Sequence, residues 1–424
     1  MSSELIKASH AMTPEDVAEY EARIEAVRAN MRQRGLDAVV VGDHPYGLED
    51  GFRYSAYLSG FGLKWPLYHS IVVVPVEGQV TLVVSPGPGG GVAAKAAERT
   101  WITNIVSTVA TTAEEKARTF FGLLGAAYDE DVVAALRQSG LERGRIGTIG
   151  AWPGIEATRE ALPQARFEVA DAVLKDVALT INSAYEETQL AYCQRAAEST
   201  MRTLMETAQP GVLYSEVFAA MWHQLLDLEC NAYPLFSVMS GEGTPWWPFD
   251  DRYTLPDARI RAGDLIGGEL PVSHRGWHVQ FCRTWVVGDQ PTASQRHLLD
   301  GLRSVQEVMH ENLREGITGD AMWKITLDAC ERFDFEPIAR SGHWIGYWSA
   351  GDLGKDLGDQ RDGQFQDTTL QFMPNNPKTV EDGMAVVIHP TLVHRPTNRF
   401  GILGDTGIFR NGRLEYLTAP REDW

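Results

Sequence analysis

From Pro14 to Gly35 apolar positions recur at helical spacing behind an acidic start and ahead of a basic end, and Leu36 to Gly42 is then almost wholly apolar. The pattern predicts an amphipathic helix feeding a strand buried on both faces, the opening of a layered α/β module. Further strands are predicted at Ser70–Pro75, Val80–Ser85 and Arg145–Ile149, with helices at Ala113–Leu124 and Asp129–Gln138 between them. In the stretch Val169 to Glu187 an apolar helix gives way through Asn182-Ser183 to an acidic helix start, which reads as a capped boundary. The domain break is therefore set at Asn182, leaving an N-terminal domain at 1–182 and a C-terminal one at 183–424.

The second half opens with helical spacing from Tyr185 to about Ala208, a Pro210-Gly211 stop, and a second helix from Ser215 to Glu229. Strands are predicted at Leu235–Ser240, Asp264–Leu270, Trp277–Val287, Met384–His389 and Gly407–Phe409, with helices at Ala293–Asn312 and Asp320–Arg332 between the strand groups. A mixed sheet flanked by helices follows from that alternation.

Composition narrows the partners. The 424 residues hold 38 Lys+Arg against 57 Asp+Glu, a net charge of −19, which repels polyanions; nucleic acid and acidic membrane surfaces are excluded as expected partners. Cys193, Cys230, Cys282 and Cys330 are scattered without a CxxC pair, the usage of a reducing compartment. The polar, acidic N-terminus has no signal-peptide core, and no apolar run has the length of a membrane span, so a cytoplasmic location is expected.

Candidate chemistry sits in the second half. His278 and Gln280 lie two apart in a predicted strand and so share a face, and Glu269 reaches that face if the two strands form a hairpin through Ser273–Gly276. Burying a carboxylate, an imidazole and an amide together is costly unless they satisfy one another or a ligand. An internal hydrogen-bond network is the alternative. His343 lies between Gly342 and a patch containing Trp344, Tyr347 and Trp348, and His389 ends an apolar run; each alone reads as well as a core histidine. The glycine-rich Pro86–Gly91 lacks the Gly-Lys-Ser/Thr ending of a phosphate loop and is read as a turn.

With these residues in place the chain resembles the creatinase and aminopeptidase P family. The N-terminal part is similar in Tyr57-Leu58-Ser59-Gly60-Phe61 and in Leu162-Pro163, Val169-Ala170-Asp171, Ser183 and Glu186-Glu187. The C-terminal part is similar in Ser240-Gly241, Gly263-Asp264-Leu265, Arg283-Thr284, Gly342-His343, Gly404-Asp405-Thr406 and Leu417-Thr418. The resemblance implies an α/β N-terminal domain and an α+β pita-bread, creatinase-like C-terminal catalytic domain. Metallopeptidases of the family hold two metals through Asp, Asp, His, Glu and Glu. At the matching positions this chain has Glu269, Gln280, His343, His389 and Gly404, so a dinuclear peptidase is not expected.

The departure resembles the metal-free creatinase and ectoine hydrolase branch, which hydrolyses C–N bonds of small amidine or guanidine-type compounds. That branch's acid/base histidine has no counterpart in Ser240–Asp251. A weaker resemblance to the dimethylsulfoniopropionate lyase branch runs through Thr244–Trp247, Arg283-Thr284-Trp285 and Gly288–Ala293. The lead expectation is a metal-independent hydrolase of a small nitrogenous compound, with His343, His278 and Glu269 catalytic and Gln280, His389, Trp246, Trp247, Trp344 and Tyr347 binding substrate. No cofactor is expected. Two alternatives stay open: a lyase or single-metal enzyme using Glu269, His278, His343 and His389, and a non-catalytic binding protein. Resemblance to the hydrolase branch further implies a homodimer whose partner subunit closes the pocket, with Lys64, Trp65 and His69 as contact candidates.

Overall fold

The structure is a computed structural model and describes residues 12–42, 54–61, 70–84, 93, 96–107, 129–150, 154–232, 235–239, 257–288, 290–338, 341–346 and 370–418. The predicted helix at Ala113–Leu124 and turn at Pro86–Gly91 lie outside these residues, as do Lys64, Trp65 and His69. The chain divides into two compact units between Leu179 and Thr180.

The first unit begins with α1 (Pro14–Arg34), fixed at its start by a reciprocal Thr13–Asp16 capping box and ended by Gly35 in the left-handed region. Its sheet is formed by β1 (Ala38–Val41), β2 (Ser70–Pro75), β3 (Thr81–Val84), β4 (Asn104–Val106), β5 (Arg145–Ile149) and β6 (Arg166–Val169), in the order β4-β3-β2-β1-β5-β6. Strand β1 is parallel to β5 and antiparallel to β2, so the sheet is mixed. Val40, Ile71, Val73, Val83 and Ile146 pack with Val132 and Leu136 of α3 (Asp129–Gln138), following α2 (Tyr54–Ser59) in chain order. Helices α4 (Ile155–Ala161) and α5 (Asp171–Ala178) complete the unit.

The second unit opens with α6 (Ala184–Thr207), whose N-cap Ser183 accepts from the Glu186 amide, and α7 (Tyr214–Asp227). Strands β7 (Asn231–Ala232), β8 (Leu235–Met239), β9 (Leu265–His274) and β10 (Trp277–Val286) form one sheet, with β9 at its centre. Strand β9 runs four residues beyond the predicted end at Leu270. The Ser273–Gly276 link is correspondingly corrected to a two-residue turn, Arg275 and Gly276, both at positive φ (50° and 88°). That geometry matches the twist of the flanking strands, and glycine adopts it without steric cost.

Helices α8 (Ala293–Asn312) and α9 (Gly319–Glu331) follow, then β11 (Phe335–Pro337), β12 (Gly342–Trp344), β13 (Ala385–Ile388), β14 (Thr391–His394), β15 (Arg399–Ile402), β16 (Asp405–Arg410) and β17 (Arg413–Tyr416). These strands form two sheets, β11-β14-β15 and β12-β13-β16-β17. Strand β10 runs along 402–406. Cys282 and Gly404 exchange backbone hydrogen bonds at 2.9 Å in both directions. On either side a threonine hydroxyl takes the place of a ladder bond: Thr284 accepts from Ile402 N–H and donates to Ile402 O, and Thr406 does the same with Gln280. Among the described residues no helix is long and apolar enough to cross a membrane, and the four cysteines are free and buried.

Two histidines of this unit make its stability pH-dependent. Burial pushes His310 below the ordinary histidine range, partly opposed by the Asp405 carboxylate, and the Tyr416 hydroxyl lies 2.8 Å from its Nδ1. Burial and then the neighbouring His297 lower His394. Both rings favour the neutral form when folded, so the unfolded chain binds protons first as pH falls below about 6.5. The stability they contribute is whole above that pH and is lost as pH falls toward the depressed folded values. The melting temperature is expected to drop between pH 7 and 5, with part of the drop removed in His310→Gln. Parallel curves for the two proteins would contradict this account.

Candidate functional site

The strand pairings bring the sequence candidates onto one face in two adjacent rows. Directly opposed residues of antiparallel strands share a face. The first row runs from Ser341, whose carbonyl accepts from the His389 amide at 2.9 Å, through His389 and Gly404 to Cys282 and Glu269. The second row runs His343, Val387, Thr406, Gln280, Pro271.

His343 and Gln280, 63 residues apart, meet across Val387 and Thr406. His343 Nε2 lies 2.9 Å from Gln280 Oε1, and His343 Nδ1 lies 2.7 Å from the Trp344 carbonyl. Three strand spacings span about 14 Å in a flat sheet, so the two side chains touch because this face is concave. A carbonyl only accepts, which places a proton on Nδ1. His389 stacks edge-on against His343, with ring centroids 5.1 Å apart. His343, Gln280, His389, Glu269 and His278 are all at least 95% buried.

Glu269 faces Cys282 across the hairpin. Burial first, and then the Glu269 carboxylate, push the Cys282 thiol well above its usual range, so it stays protonated and is no nucleophile at neutral pH. His278 shares this face by the pleat. Its Nδ1 lies 2.8 Å from the Gly276 carbonyl of the turn, and its amide donates to Gly346 O at 2.7 Å.

Trp344 is one residue beyond His343 and alternates to the opposite face of β12. Its ring is fully buried there, and it serves the site through its carbonyl. The ring that the sequence assigns to substrate thus lies on the face opposite His343. Trp246, Trp247 and Tyr347 lie outside the described residues.

Behind the face, Arg283 fastens the strands. Its Nη1 donates to the carbonyls of Cys282 and Gly404 and its Nη2 to Asp405 Oδ1 at 2.8 Å, while its guanidinium lies 3.8 Å from the Phe281 ring centroid. Gln306 of α8 donates to the other Asp405 oxygen. Arg283 and Asp405, quoted above for family resemblance, thus hold backbone in place.

The dinuclear set of the resembled peptidases does not fit these residues. Gln280 is a neutral amide in direct contact with His343. Gly404 brings no donor, and a Cβ built on it would lie 2.5 Å from His389 Cβ and 3.0 Å from Cys282 Sγ. Among the described residues no three His, Cys, Asp or Glu side chains converge as a metal-holding group, and this includes Glu269, His278, His343 and His389.

Sequence reasoning passed over Thr406, Cys282 and Ser341. The alternation of β10 places Cys282 on the Gln280 face and could have found it. Nothing local marks the other two, because their roles depend on strands paired over long range.

Comparison with known proteins agrees with this architecture. Residues 188–410, more than half of the chain, match the model of the metallopeptidase family M24. An uncharacterized hydrolase/peptidase, y4tM, of Sinorhizobium fredii is 26% identical over 199 residues, 44% of this chain and 48% of that one. The chain thus spans about half the length of the curated relative it matches. The prolidase of Pyrococcus horikoshii superposes with a TM-score of 0.68 at 18% identity over 95% of this chain and 99% of its own. The recombinant prolidase of Thermococcus sibiricus gives 0.70 at 16% identity, over 96% and 98%. The two-domain fold expected from the resemblance is therefore present, with the pita-bread domain in the C-terminal part.

Proposed function

Because the chain belongs to the metallopeptidase family M24 yet has no donor and no room at the Gly404 corner, we propose that it is a hydrolase of that fold working without the dinuclear centre. Its substrate is a small nitrogen-containing metabolite, of amidine, guanidine or cyclic amide type, cleaved at a C–N bond by histidine acid/base chemistry. The observation that carries this reading is the direct contact between His343 Nε2 and the Gln280 amide.

An amide has a donor and an acceptor, so Gln280 can receive a hydrogen bond from an imidazolium or give one to a neutral ring. A carboxylate at that place would favour the imidazolium alone. Gln280 can thus bond His343 in either of its two states. Once a bound water takes Gln280's place at Nε2, the neutral ring accepts a proton from it as the water oxygen bonds to the substrate carbon. The imidazolium then returns the proton to the nitrogen as the C–N bond breaks. Glu269 is the anionic group of the face and would pair with a cationic amidinium-type nitrogen through charge-assisted hydrogen bonds. His278, with Nδ1 turned to the Gly276 carbonyl, is the second proton carrier of this reading.

The similar prolidases and the hydrolase/peptidase relative support a peptide bond as the second choice of C–N bond. The test is to purify untagged protein without chelator, measure metal per chain, and follow creatine, 5-oxoproline and the dipeptide Ala-Pro by proton NMR with and without chelator. Hydrolysis of creatine or 5-oxoproline that resists chelator, with metal well below one per chain, is the expected result. Chelator-sensitive activity with near-stoichiometric iron, manganese or zinc would establish the single-metal alternative instead. Cleavage of Ala-Pro alone would make the chain a peptidase.

A further inference from the structure

Ser341 ends the first row of the site face, and its hydroxyl is fully buried without a hydrogen-bond partner among the described residues. Other buried hydroxyls of these strands are bonded: Thr391 donates to the His389 carbonyl, and Thr406 is engaged twice by Gln280. Ser341 lies two residues before His343 on the same extended run and opposite His389, so it shares their face. Its backbone is fully used, the amide donating to Phe372 O and the carbonyl accepting from His389 N–H. Only the hydroxyl is left over. A buried polar group without a partner is unfavourable, and such groups in native folds mark a place filled by water or ligand.

We infer that Ser341 is a substrate-binding residue of this site, its hydroxyl donating to a polar acceptor of the substrate one strand step from His343. The inference rests on the proposed hydrolase site and adds a specificity determinant to it. The hydroxyl would bind ground state and transition state alike, because the acceptor is remote from the bond that breaks. Removing it should therefore raise KM and leave kcat nearly unchanged.

The test compares wild type with Ser341→Ala, and with Ser341→Cys as a variant that keeps a weaker donor. Melting temperature is measured without ligand, and affinity by ligand-observed NMR for creatine, 5-oxoproline and Ala-Pro. The expected result is an unchanged or higher melting temperature for Ser341→Ala, with about tenfold weaker binding of the compound that wild type binds, and an intermediate value for Ser341→Cys. Three results would overturn the inference: equal affinity in wild type and Ser341→Ala, a fall of several degrees in melting temperature with affinity kept, or no binding of any of the three compounds by wild type. Binding without turnover in wild type would sink the hydrolase reading alone and leave Ser341 as a ligand contact.

Discussion

Replacing His343 by alanine is expected to lower turnover by about 10²- to 10⁴-fold, the usual worth of a positioned proton carrier, in a protein that still folds. Both ring nitrogens are held, Nδ1 at 2.7 Å from Trp344 O and Nε2 at 2.9 Å from Gln280 Oε1. Its loss leaves a buried carbonyl and a buried amide without that partner, so the melting temperature should also fall, by the equivalent of about 1–3 kcal/mol. Steady-state kinetics and thermal denaturation on the same sample separate the two effects. A companion, Gln280→Glu, keeps the contact but adds a negative charge beside Nε2 and should move the acid limb of the pH–rate profile upward. Wild-type turnover in folded His343→Ala would remove His343 from the mechanism altogether.

The second large effect concerns the corner where the resembled peptidases have a glutamate. Gly404→Glu is expected to destabilise the fold and to recruit no metal. Gly404 is not at positive φ, so its backbone would accept any residue, and the obstacle is space alone. The added Cβ would meet His389 Cβ at 2.5 Å and Cys282 at 3.0 and 3.1 Å. Neither neighbour can move cheaply, because Cys282 is paired to Gly404 by two backbone bonds and His389 is bonded to Ser341 O. Overpacking of this kind costs about 1–3 kcal/mol for small additions and more for a buried carboxylate. Gly404→Ala, which adds only the methyl group, should already lower the melting temperature. A folded Gly404→Glu protein binding a divalent ion at one per chain would show instead that the corner is open.

Much of the framework was readable along the chain. The Ser183 cap, the helix that follows it and the strand at Arg145–Ile149 are local: a cap, an amphipathic repeat and an apolar run each fix a few neighbouring dihedrals. His278 and Gln280 could be put on one face because the pleat has period two. Glu269 was placed with them by assuming a hairpin, and the register pairing it with Cys282 came from a turn two residues tighter than the predicted Ser273–Gly276 link.

Other features were beyond the reach of any local pattern. Trp344 read as part of an aromatic patch around a site, whereas β12 turns its ring to the far face. The Thr406 hydroxyl, the Cys282–Gly404 pair and the leftover Ser341 hydroxyl acquire meaning only from strands more than a hundred residues apart or from an exact count of backbone bonds.

By itself, then, the sequence determined the longer helices and the apolar strands that carry a local repeat, the polar groups available for chemistry, and the resemblance that named the pita-bread fold. Periodicity, caps and residue order are properties of neighbours along the chain, and those suffice for such conclusions. Only the tertiary structure decided that Gln280 meets His343, that Gly404 has no room for a ligand, and that Ser341 faces the site. Each depends on long-range register, where a slip of one residue turns every side chain of a strand to the other face.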